Sequence, residues 1–131
     1  MAIKASTSPA LATGAYSFAD YTNATGASPD YTWSVDASAS EFGFTVEPAT
    51  TADTHSRFMD DGSACGTGSG NTADSCWYKL ATSDLTIISR SSKTTSSGEA
   101  EAVNFKAEVG NTAYQQSGTY TATVTATVTT Q

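Results

Sequence analysis

A chain of 131 residues is long enough to bury one domain's core, and a net charge of −7 with no basic patch argues against nucleic acid or an anionic membrane as partner. Charged residues make up only 15%, which excludes the charge-rich kind of disorder. The low hydrophobic content of 38% reflects an abundance of Thr and Ser. No run approaches the roughly 18 apolar residues that would insert in a bilayer.

Residues 2–14 carry Ile3 and Leu11 as their only large apolar groups and are expected to form an N-terminal tail or edge strand. They lack the apolar stretch of an intact signal peptide, so Met1 reads as a start placed on a mature segment. Residues 15–21 predict a short strand with Tyr16 and Phe18 on one face. Residues 22–29 are a turn cluster; Asn23-Ala24-Thr25 matches a glycosylation acceptor but reads as a chance match in such a loop. Residues 31–36 alternate, with Tyr31, Trp33 and Val35 expected inward, and Trp33 as core. Residues 42–47 alternate again, with Phe42, Phe44 and Val46 inward and Pro48 ending the strand.

Residues 49–74 show no sustained period and predict a long irregular loop. Residues 76–80 and 84–90 predict short strands, the second with Leu85 and Ile87 on one face. Residues 91–98 form a solvated loop. In residues 99–109, Val103, Phe105, Ala107 and Val109 are expected inward, and Asn104, Lys106 and Glu108 outward. The chain closes on the sequence that organises it. From Tyr120, Tyr, Ala and Val alternate with Thr, giving a strand with one apolar and one hydroxylated face. That apolar face is expected to cover Phe42, Phe44 and Phe105.

With no amphipathic helix and turn clusters between short strands, the expected fold is all-β. It is an immunoglobulin-like antiparallel β-sandwich of about seven or eight strands, with residues 15–131 as one domain. Cys65 and Cys76 bracket a Gly-, Ser- and Thr-rich loop, and their even count and close spacing predict a local disulfide that pins it. In the chain-entropy account a loop of this size contributes about 2.5–3 kcal/mol. A disulfide in a Thr-rich, Lys-poor chain points to an extracellular or cell-surface location.

The ending S-G-T-Y-T-A-T-V-T-A-T-V-T, the block E-F-G-F-T-V-E and the C-G-T-G-S-G…C-W loop resemble secreted bacterial and archaeal cell-surface β-sandwich domains of pilin or adhesin type. The resemblance implies a structural or adhesive module without catalytic activity. Its partners would be other copies of itself or other surface proteins. Residues 2–14 lack the alternating large apolar residues of a pilin donor strand.

Chemistry is thinly represented. His55 is the sole histidine; with Asp53 nearby it is the one candidate base of a hydrolase, and a solvated loop residue is the expected reading. Glu41, Glu47, Glu99 and Glu101 fall at strand edges, where spacing alone pairs none of them as a glycosidase requires. Asp60, Asp61 and Asp74, with Asp53 and Asn71, supply hard oxygens for a structural Ca²⁺, without an EF-hand spacing; no other cofactor is implied. A Lys–Asn cross-link would draw on Lys4 or Lys106, Asn104 or Asn111, and Glu101 or Glu108, but Lys106 lies on the outward register. A carbohydrate-binding module is the alternative function, with Trp77 and Tyr78 as its stacking platform beside Tyr21 and Tyr114. Packing in the core is the competing reading for Trp77.

Overall fold

The computed structural model describes residues 1–24, 26 and 28–129. The fold is all-β, with two single-turn 3₁₀ segments at Thr51–Asp53 and Ser56–Phe58. In chain order the strands are β1 (Ala2–Ala5), β2 (Ala12–Thr13), β3 (Tyr16–Ser17), β4 (Ala19–Asp20), β5 (Ser40–Pro48), β6 (Leu85–Thr86), β7 (Glu101–Val109) and β8 (Val124–Thr127). They form a sheet β6-β1-β8, the hairpin β2-β3, and a sheet β4-β5-β7. Among the described residues no helix is long and apolar enough to cross a membrane.

Nine residues of β5 pair antiparallel with nine of β7, from Ser40 opposite Val109 to Pro48 opposite Glu101. β4 joins β5 in parallel on its other side, and Tyr78 continues that side through paired bonds with Phe44. β5 is buried on both faces. Phe42, Phe44 and Val46 enter the main core, where Phe44 lies 5.5 Å from the Phe58 ring. The opposite face carries Glu41, Gly43 and Thr45, and Thr45 donates its hydroxyl to the Ser75 carbonyl. Gly43 is required by close approach. A Cβ there would lie 2.8 Å from the Tyr21 Cβ, 2.9 Å from the Tyr78 carbonyl oxygen and 3.0 Å from Trp33. The main core joins both three-stranded sheets: Ile3 and Ala5 from β1, the three apolar residues of β5, and Phe58, Leu80, Ile87 and Ile88 from the connections.

Several expectations from the sequence need correction. Within residues 2–14, Ala2–Ala5 do not lie at an edge: β1 is the central strand of its sheet, between β6 and β8. Its alternation of Ile3 and Ala5 inward is enough to seat it there. Tyr16 is 52% exposed while Phe18 is buried, because the chain passes from the β2-β3 hairpin to β4 between them. Residues 31–36 form no strand. Tyr31, Trp33 and Val35 are half-buried and Thr32, Ser34 and Asp36 exposed, as the alternation says, but the Ser34 amide bonds to the Tyr21 hydroxyl (3.3 Å) instead of a ladder. Trp33 is therefore a lid on the Gly43 face and not a core residue. Residues 76–80 make bridges only at Trp77 and Tyr78, since Cys76 sits at φ 60° and breaks the extended run.

In β7, Val103 packs on the core, but Phe105 is 46% and Val109 42% exposed. The last strand is shorter than its alternating sequence: β8 pairs with β1, and Thr121 makes a separate bridge to Ala12. Tyr120, Ala122 and Val124 face the core, whereas Val128 is 72% exposed. Tyr120 packs edge-on against Phe18 (5.2 Å), while Phe42 and Phe44 are the ring neighbours of Phe105, so the expected cover over those three Phe does not form.

Candidate functional site

The loop between β5 and β6 is folded around one carboxylate. Asp60 is 1% exposed, and its Oδ1 accepts from the Gly62 amide (2.9 Å) and the Thr72 hydroxyl (2.9 Å). Its Oδ2 accepts from the Thr72 amide (2.7 Å), and its backbone exchanges two bonds with Gly70. Burial works to raise the Asp60 carboxyl, but the bonds from Thr72 and Gly62 outweigh it and hold the group below the usual carboxylate range. The Ala64 amide, with Ser63, holds exposed Asp61 low in the same way. Cys65 and Cys76 are disulfide-bonded, with Cα atoms 5.7 Å apart, and so tie this knot to the start of the Trp77–Tyr78 segment.

The calcium candidates do not converge. Asp60 takes loop donors on both oxygens and Asp61 on its Oδ1, and exposed Asp74 turns at φ 54° with its amide on Glu47 (2.7 Å). Asn71 donates to the Val46 and Phe58 carbonyls. Among the described residues, no group of three or more His, Cys, Asp or Glu is placed to hold a metal ion.

The proposed stacking platform is buried. Trp77 is 4% and Tyr78 9% exposed, so neither offers a ring face to a sugar. Trp77 donates its indole N–H to the Asp74 carbonyl (2.9 Å) and meets the edge of Trp33 at 5.1 Å. Tyr78 turns to the opposite face, edge-on to Phe58. Trp33 stacks on Tyr21 at 4.3 Å, closing the Gly43 face. Burial pushes the Tyr21 hydroxyl up to about 12, and it donates to Asp30 (3.1 Å). Lys106 lies 5.2 Å over the Trp33 ring and 5.7 Å over Trp77, and Glu108 accepts the Trp33 indole N–H (2.8 Å). The outward register of β7 thus seals an aromatic layer and is not plain solvent surface. Tyr114 is the one member of the proposed platform that is exposed.

The cross-link residues also stay apart. Lys4 pairs at 3.3 Å with Asp84, Lys106 lies 3.7 Å from Glu108, and both lysines are close to half exposed. Asn104 sits in β7 and exposed Asn111 beyond it. Residue 25 of the Asn23 glycosylation pattern lies outside the described residues; the Asn23 amide donates to the Trp77 carbonyl (2.9 Å).

A gathering of charge that the sequence does not announce lies where the loop, β6 and β7 meet. Arg90 holds Asp53 at 2.5 Å and ion-pairs with Glu99. Burial, with the Asp53 charge, raises the Glu101 carboxyl, whose Oε2 has no hydrogen-bond partner among the described residues. Arg90, Glu99 and Glu101 border an open cleft of about 1120 Å³ also lined by Met1, Ile88 and Val128. Spacing could not pair Asp53, Arg90 and Glu99, because only folding brings the loop against the β6–β7 connection. Glu41 is buried near β4, where it accepts from the Thr22 amide (3.3 Å). The His55 Nδ1 accepts from the Arg57 amide (3.2 Å); burial and the Arg57 charge keep its ring below the usual histidine range and neutral. Its candidate orienting acid, Asp53, faces Arg90 instead.

No protein family matches this chain, and neither curated proteins nor solved structures provide a match.

Proposed function

We propose that this chain is an extracellular structural or adhesive module, a surface protein or filament subunit of immunoglobulin-like sandwich type, without catalytic activity. The observation that carries the reading is the Cys65–Cys76 disulfide, which closes a Gly-rich loop that is otherwise held by hydrogen bonds, those to Asp60 among them. Such a bond persists in an oxidising compartment. The placement of the ionisable groups supports the same reading. Arg90 is neutralised by Asp53 and Glu99, His55 serves its own turn, and the indoles pack inward. These groups are engaged in contacts within the fold. Partners of such a module are other copies of itself or other surface proteins. Immunogold labelling of the producing cells with antibody to this chain should decorate the envelope or its filaments; label confined to the cytoplasm would overturn the reading.

A further inference from the structure

β7 is nine residues long and borders β5 on one side only; among the described residues nothing pairs with its outer edge. The bonding pattern fixes which residues present their backbone there. Phe44 exchanges its N–H and C=O with Tyr78 (2.9 and 2.8 Å), and the Phe42 carbonyl accepts from Tyr21 (2.9 Å). Both turn away from β7. Their partners across the ladder, Phe105 and Ala107, therefore turn their own N–H and C=O outward, and alternation adds Val103 and Val109.

Neither proline nor a bulge blunts this edge. Residues 101–109 contain no proline, and the one-to-one register with β5 contains no bulge. The lysine that could guard it, Lys106, is drawn back over the Trp33 and Trp77 rings. The side chains beside the edge are symmetric about Ala107. Two positions out lie Phe105 and Val109, both exposed and apolar on one face. One position out lie Lys106 and Glu108, opposite in charge on the other face.

We propose that the β7 edge is a self-association surface, on which two copies pair antiparallel about a twofold axis at Ala107. Phe105 then lies opposite Val109 of the partner subunit, and Lys106 opposite Glu108 of the partner subunit. The outward groups of Phe105, Ala107 and Val109 meet their counterparts in roughly six backbone hydrogen bonds. Lys106 and Glu108 occupy the non-hydrogen-bonded pairs, where side chains approach most closely. Other twofold registers fail on the same residues. Centring on Lys106 or Glu108 sets like charges opposite each other. Centring on Phe105 sets Val109 against Glu101. Axes between residues oppose an outward backbone to an inward one. The association holds whether or not the chain belongs to a cell surface.

Sedimentation velocity from about 1 to about 200 μM is the test, a range suited to an interface of one strand pair. The wild-type mass should double across it. Lys106→Glu places Glu opposite Glu twice and should raise the dissociation constant at least about tenfold, and the double variant K106E/E108K should recover the dimer. Ala107→Cys tests the register without a charge change. The Cα atoms of a hydrogen-bonded antiparallel pair stand about 5.5 Å apart, within disulfide reach, so mild oxidation should give a covalent dimer linked through position 107. A wild-type monomer at the highest concentration, a dimer indifferent to Lys106→Glu, or A107C that does not cross-link would each overturn the inference. If the charge variants lose the wild-type circular dichroism spectrum, cross-linking of A107C decides. A monomer here leaves the cell-surface reading to the labelling experiment.

Discussion

Replacing Gly43 by Ala adds one methyl group to a strand, normally a mild change, and here it should be harmful. The new Cβ would stand 2.8 Å from the Tyr21 Cβ, 2.9 Å from the Tyr78 carbonyl oxygen and 3.0 Å from Trp33. Ordinary carbon contacts begin near 3.5 Å, so each neighbour must move by about half an ångström or more. The Tyr78 oxygen is backbone and accepts the Phe44 N–H at 2.9 Å, so its movement loosens the bridge between β5 and the disulfide-bonded segment. The Tyr21–Trp33 stack at 4.3 Å must tilt as well. Overpacking of this kind costs about 1–3 kcal/mol. The loss of glycine's freedom in the unfolded chain returns about 0.4–1 kcal/mol. The mid-range net loss is about 1.3 kcal/mol, which lowers the urea midpoint by roughly 1 M at an m-value of about 1–2 kcal/mol/M. Gly118→Ala is the matched control. Its added Cβ meets only the Thr13 side chain, at 3.7 Å, so the variant should be neutral or slightly more stable. A midpoint for Gly43→Ala equal to or above that of Gly118→Ala would refute the close approach of Tyr21, Tyr78 and Trp33.

Asp60→Asn should cost about 1.5–3 kcal/mol at neutral pH, since an amide nitrogen would face one of the Gly62 or Thr72 donors; because the folded-state carboxyl is held low, that stability is present above the ordinary Asp range and is lost as pH falls through the depressed value, so denaturation midpoints of variant and wild type should converge in acid. Glu101→Gln should act in the opposite sense. Burial raises the Glu101 carboxyl, so ionisation costs the native state stability as pH rises through the folded value; the variant should melt higher than wild type at pH 7 and lose that advantage below the ordinary Glu range. Deleting residues 121–131 removes β8, leaves β1 with one neighbour and bares the core face under Ala122 and Val124; the truncated chain should be unfolded or aggregated, and a peptide of the missing sequence should restore the native circular dichroism spectrum. A folded monomer indifferent to that peptide would show the last strand to be dispensable.

The parts that were legible in the sequence are those where period and burial coincide. Phe42, Phe44 and Val46 alternate and enter the core, Pro48 ends their strand, and Cys65 bonds to Cys76. Alternation assigns residues to one of two faces but does not say how each face is covered. Trp33 alternates like a core residue yet roofs a glycine, and Lys106 alternates like a solvated residue yet seals two indoles. Phe105 and Val109 alternate as if inward and remain exposed in β7, beyond which no strand pairs among the described residues. The Asp60 knot was visible only as an acidic, Gly-rich stretch. Its fold depends on Thr72 and Gly70 returning to one carboxylate, an arrangement with no sequence period. The Arg90 cluster depends likewise on contacts between Asp53 and residues some 40 positions away; Asp53, Glu99 and Glu101 stand out in the sequence as carboxylates, but no spacing pairs them with Arg90.

The proposed role requires this chain to lie outside the reducing cytoplasm, and the Cys65–Cys76 bond tests that proposal most directly. Protein taken from the producing cells, alkylated at once without a reductant and measured by intact mass, should carry no label, and should carry two labels after reduction. Two thiols freely alkylated without reduction would contradict both the pinned loop and the extracellular role built on it.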